Sequence, residues 1–260
     1  MENPTVDATT RIFESQFFSL FGDAVCLAWH SLNQTPCANH DYLVQSFVRS
    51  SILNSALSIE CAANCCLSAL NFHKSTEKDM EWLKTLAKFE LFLMNRANAK
   101  GFDRNHPLVK PIEDIFALRN RSVHAKVLVR EFFPNSPHPK PPYQSYAHLK
   151  IRKDFRGWKP DDAKKVVFCV SDFLNYFFFE CAGFDDSNIE ARTNVANVLS
   201  TRIDSTTAPR HKRQFEPYPG IVSQAMHTWD LDPAFLGSFT HTGNNDVIIK
   251  PKRLRGEFSS

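Results

Sequence analysis

Glycine is scarce in this chain, with 8 in 260 residues. Turn-rich β architectures use glycine wherever the backbone takes a positive φ, so such an architecture is not expected. Long apolar runs are also missing, and no stretch reaches the ~18 residues of a membrane span. The opening Met1-Glu2-Asn3-Pro4 has neither the basic start nor the apolar core of a secretory signal. The seven cysteines (Cys26, Cys37, Cys61, Cys65, Cys66, Cys169 and Cys181) are odd in number and form no C-x-x-C pair. Neither a disulfide framework nor a zinc ribbon is indicated. Cys61 and Cys65, one helical turn apart among alanines, read as small core residues. Strong net charge is absent as well: +3 permits RNA binding without requiring it. There is no internal repeat. These absences point to a reduced, cytoplasmic protein with no membrane contact.

What is abundant is phenylalanine, at 23 residues, within an apolar share of 43%. That composition suits a helical bundle, and five helices follow from the periodicity. The first runs from about Thr9 to Leu32, with Phe13, Phe17, Leu20, Ala24 and Leu27 on one face. A second, dense in Ser, Ala and Cys, runs from about Asp41 to Asn71 with a wide apolar arc and Glu60 in its middle. The third spans about Thr76 to Ala99, with Trp82, Leu86, Phe89 and Leu93 as its stripe and Gly101 as its stop. The fourth runs from Leu108 or Pro111 to about Lys126. The fifth opens at Pro160-Asp161-Asp162, carboxylates at its positive end, and closes near Gly183. Its stripe is Ala163, Val166, Val170, Phe173 and Phe177, and the aromatic run Tyr176 to Phe179 needs a second contact, from a dimer partner or from the C-terminal tail.

Between the fourth and fifth helices, Pro134, Pro137, Pro139, Pro141 and Pro142 form a proline-rich insertion that cannot be helical throughout. Its flanks, Val127 to Phe133 and Tyr143 to Lys153, read as a short hairpin. The expected fold is all-α: a bundle of four to five helices over residues 9–183, followed by a partly irregular, basic C-terminal extension over 184–260. Trp229, Phe235 and Phe239 give that extension apolar groups with which to dock on the bundle.

The fourth helix carries the most informative run, Leu118-Arg119-Asn120-Arg121-Ser122-Val123-His124. With Ile112 set at zero and ~100° per residue, Phe116 falls at about 40°, Val123 at about 20° and Ile115 at about 300°. Arg119, at about 340°, lies inside this apolar stripe. Asn120 and His124 fall at about 80° and 120° on its edge, and Arg121 points away at about 180°. An unpaired guanidinium on a buried face is very costly, so Arg119 requires a partner. Either Glu60 supplies it as a structural ion pair, or a seam between two protomers leaves a cleft for phosphate.

Three segments together resemble the HEPN superfamily of all-α domains. They are Ser-Ala-Leu-Ser-Ile-Glu at Ser55–Glu60, Leu-Ala-Lys-Phe-Glu-Leu-Phe at Leu86–Phe92, and Phe-Ala-Leu-Arg-Asn-Arg-Ser-Val-His-Ala-Lys at Phe116–Lys126. Arg119, Asn120 and His124 match that family's motif, an arginine, a polar residue and a histidine with four residues between Arg and His. The resemblance covers about Asp41 to Gly183. It implies a metal-independent endoribonuclease without cofactor, of the kind found among toxin-like and antiviral defence effectors, or an inactive module that binds RNA, nucleotide or protein. It also implies a homodimer through the face bearing Arg119 and His124, with a cognate antitoxin or defence partner. Arg119, Asn120 and His124 are then the catalytic candidates, with Asn120 orienting His124 or the scissile phosphate. Arg121 and Lys126 are the RNA contacts, and Glu60 is the structural partner of Arg119.

Overall fold

The computed structural model describes residues 10–13, 15–37, 39–124, 144–184, 189–200, 202–205 and 220–236. It is mostly helical. Strand β1 (Thr10–Phe13) is followed by α1 (Phe17–Asn33), α2 (His40–Ser68), α3 (Lys74–Met80), α4 (Thr85–Met94) and α5 (Lys110–Val123). After α6 (Pro160–Asn175) come α7 (Ile189–Leu199), strand β2 (Arg202–Ser205) and α8 (Gly220–Trp229). Among the described residues no helix is long and apolar enough to cross a membrane.

The Ser/Ala-rich α2 is the central element, packed by α1, α4, α5, α6 and α7. Its composition explains this position. Ala56, Ala62 and Ala63 are fully buried and let neighbouring backbones approach. Three of its buried serines donate to carbonyls: Ser51 to Ala24 of α1 at 2.7 Å, Ser55 to Ser51 at 2.9 Å and Ser58 to Ser55 at 2.8 Å.

The first expected helix starts late. Thr10–Phe13 is instead a strand, antiparallel to β2, with Thr10 opposite Ser205 and Phe13 opposite Arg202. A run containing Thr10 and Ile12 tolerates either state, and its partner lies far away in the chain, beyond any local pattern. The buried face of α1 is correspondingly turned, onto Phe17, Phe21, Ala24, Val25 and Ala28.

The expected third helix is two helices. None of the described side chains of α3 is buried, so nothing holds it in line with α4. Trp82, in the turn between them, is 89% exposed, whereas Leu86, Phe89 and Leu93 are buried as expected. Gly101 has a positive φ of 90° but lies in the loop beyond α4 rather than at its end.

On α6 every residue of the expected stripe is buried. The helix widens into a π-helical turn over Tyr176–Cys181 and stops at Gly183, whose φ is 71°. The aromatic run finds its second contact within the chain: Phe177 packs against Phe89, Phe92 and Phe102, and Phe178 against Phe184. No partner subunit is needed to cover it. The described pieces of the C-terminal extension also enter this core. Phe235 packs edge-on against Phe17 and Phe21, and Asn175 of α6 ties down both the Asp232 carbonyl and the Phe235 amide.

The first arm of the expected hairpin, 127–133, and the prolines lie outside the described residues. The second arm turns back on itself: Ser145 bridges Arg152, and Lys150 takes a φ of 56°. Asp114 of α5 holds this loop by accepting the amides of His148 and Leu149 at 2.7 and 3.0 Å.

Candidate functional site

Helix α5 begins with Pro111 in its first turn, where a missing N–H costs nothing, and ends at His124. Its buried face is Ile112, Ile115 and Leu118. This face is rotated from the expected stripe, because Leu118 is inside, Phe116 is half-buried and Val123 is 56% exposed. Val123 is the last residue of α5, next to the C-cap His124.

Arg119 sits at the edge of the buried face. Its Nη2 donates to Glu60 Oε2 at 3.1 Å, and the two side chains are 25% and 27% exposed. Nη1 donates to Asn120 Oδ1 at 3.0 Å. Nε is buried and meets no acceptor among the described residues. Of the internal-carboxylate and protomer-seam alternatives, the chain itself thus supplies the carboxylate. The pairing does not seal the guanidinium, which has five N–H donors and commits two of them.

A residue that helical periodicity does not single out completes this cluster. Lys88 of α4 is only 8% exposed and donates to Asn64 Oδ1 of α2 at 2.7 Å. Burial pushes its amine below the ordinary lysine range, opposed by the nearby Glu81 and Glu60 carboxylates. Lys88, Asn64, Glu60, Arg119 and Asn120 thus form a polar seam across α4, α2 and α5. Lys88 lies off the stripe set by Leu86, Phe89 and Leu93 and is buried only by the way α4 meets α2.

His124 caps the C-terminus of α5 with an exposed ring, its amide bonded to the Asn120 carbonyl at 3.0 Å. Asn120, expected to orient His124 or the scissile phosphate, accepts from Arg119 through its side-chain oxygen and meets the His124 amide through its backbone carbonyl. Arg121 is exposed, as its helical phase requires, and its charge acts on the Tyr146 hydroxyl, whose proton affinity burial raises and Arg121 lowers. Lys126 lies outside the described residues.

A separate open cavity of about 570 Å³ is lined by Lys100, Phe102, Asp103, His106, Tyr176 and Glu180, among others. It shares no residue with the α5 cluster. His106 stacks flat on Tyr176 at 4.0 Å, and its Nδ1 accepts from the Leu108 amide, so its packing is accounted for within the chain.

No protein-family model, curated protein or solved structure matches the chain.

Proposed function

We propose that this chain is a metal-independent endoribonuclease of the HEPN type, acting as a homodimer in a toxin-like or defence setting. The observation that carries the reading is the state of Arg119: fixed by Glu60 and Asn120, yet still part-exposed, on the helix whose end presents the His124 ring. A guanidinium held this way is preorganised to meet negative charge without reorganising, and such preorganisation supplies much of the rate enhancement in many enzymes.

In the proposed reaction the RNA 2′-hydroxyl loses its proton to a histidine and attacks the adjacent phosphorus. The P–O5′ bond breaks, and the leaving oxygen takes a proton. The products are a 2′,3′-cyclic phosphate and a 5′-hydroxyl. His124 exchanges the protons as general base and then general acid. Arg119 neutralises the phosphoryl oxygens through its uncommitted N–H groups. Five residues of helix separate the two by about 140°, so convergence on one phosphate favours Arg119 of one protomer and His124 of another across a two-fold axis. Arg121 and Lys126 are assigned to the RNA backbone.

The second reading, a binding module without catalysis, is favoured by the Glu60 carboxylate, which already neutralises part of the Arg119 charge. Purified protein incubated with single-stranded and structured RNA in EDTA separates the two. Cleavage with cyclic-phosphate ends, lowered about 10²-fold or more by His124→Ala and by Arg119→Ala, is the expected result. Intact RNA, or equal cleavage by the variants, overturns the enzymatic reading. RNA retained without cleavage, weakening as salt rises, marks the binding module.

A further inference from the structure

From Gln144 to Lys159 the chain has five basic residues and one carboxylate, a net charge of +4 against +3 for the whole molecule. The loop that carries this charge is held in shape from inside. Trp158 is buried, and its indole donates to the Arg152 carbonyl at 2.7 Å. The Tyr146 amide meets the Ile151 carbonyl and the Lys153 amide the Gln144 carbonyl, each at 2.8 Å. Gln45 of α2 donates to the Trp158 carbonyl at 2.8 Å, which fixes the loop against α2. On this frame Phe155 faces outward, 42% exposed, with the Arg49 guanidinium 6.0 Å from its ring centre. Tyr42, 71% exposed, precedes Arg49 by seven residues and so stands on the same face of α2, two turns away.

We propose that this face binds single-stranded RNA, its phosphates on Arg121, Lys153 and Arg156 and its unpaired bases stacked on Phe155 and Tyr42. The choice of RNA rests on the ribonuclease reading, and the choice of a single strand rests on the two rings. Open aromatic rings beside cations hold single strands without sequence preference, because every base has a flat face to stack. A duplex keeps those faces inside its own stack and gives the rings nothing to meet. Arg49, Lys153 and Arg156 make no ion pair among the described residues, so their charge is open to phosphate. Of the carboxylates nearby, Asp154 accepts the Arg156 amide at 3.2 Å and Asp162 the Lys159 amide at 2.8 Å, while Asp41 and Asp161 lie in the first turns of α2 and α6.

The face is continuous with the α5 site. Lys153 Nζ lies 5.9 Å from the centre of the Tyr146 ring, and the Arg121 guanidinium is close enough to act on the hydroxyl of that same residue. Arg121 and Lys153 thus both reach Tyr146, and Arg156 and Arg49 extend the line of cations to Phe155. A strand seated along it has one end at the last turn of α5, which closes on His124. The rings then set where the strand is gripped, and the cations set how strongly the grip depends on salt.

The test is fluorescence anisotropy of the intact protein with a labelled 2′-O-methyl oligouridine of about 12 nucleotides, which lacks the attacking hydroxyl and so reports binding apart from cleavage. The strand should bind more weakly as salt rises. Phe155→Ala should weaken binding roughly 10-fold, Phe155→Tyr should restore it, and Tyr42→Ala should weaken it less. Arg156→Gln should lower the salt slope by about 0.7. Trp82→Ala, which removes an exposed ring from the turn between α3 and α4, should leave binding unchanged. No binding, wild-type binding by Phe155→Ala and Arg156→Gln, or a preference for a duplex or for phosphatidylserine vesicles overturns the proposal. The wild-type salt dependence and strand preference decide this even where a variant fails to fold. Cleavage of ordinary RNA without any of this binding pattern sinks the RNA face alone, and retention of the strand without cleavage of ordinary RNA sinks catalysis alone.

Discussion

At the scale of single residues, the charged side chains divide by whether the chain supplies a partner. Arg119 and Lys88 are both drawn into the bundle, and each is answered by a residue of α2. Among the described residues Asp172 of α6 meets no such partner. Burial alone raises its carboxyl to about 6 from the ordinary 3.8. Between those values the folded chain holds more protons than the unfolded one, so stability falls as pH rises through that window. Asp172→Asn removes the penalty. The variant should gain about 1 kcal/mol at neutral pH, after discounting for partial exposure, and show a flatter pH profile in urea unfolding. The need of Arg119 for a partner, and Glu60 as a candidate for it, could be read from helical phase alone. The participation of Lys88 and Asn64 could not, because it depends on how two helices meet.

Among the elements, the pattern was readable where one helix buries one face against a fixed neighbour. The stripe of α6 and its glycine stop are of this kind. It failed where a local tendency was overridden from a distance. Thr10–Phe13 pairs with a segment near the other end of the chain, and α3 leaves the line of α4 for want of anything to bury. The rotation of α5 is a smaller failure with the same origin, since Leu118 is buried by neighbours and not by its own periodicity. Trp82 makes the distinction measurable. Trp82→Ala should change stability by no more than about 0.5 kcal/mol in denaturant unfolding. A tryptophan buried on a stripe would cost about 3–5 kcal/mol.

Over the whole molecule, the aromatic groups join pieces that the sequence presents as separate. Phe235 reaches from the C-terminal extension onto α1, and the aromatic end of α6 is closed by α4 and the loop after it. The extension therefore contributes to the same hydrophobic core as the bundle. Phe235→Ala should lower unfolding stability by about 3–5 kcal/mol, measured by thermal or urea denaturation, although the residue lies outside the region of family resemblance.

The Asp114 carboxylate has a topological effect. Grasping two successive amides at His148 and Leu149, it returns the chain to the helix that it left at His124. Both anchor points belong to one short rod, α5. Changes of length or composition between these two anchor points therefore leave the described contacts of α5 with the bundle in place.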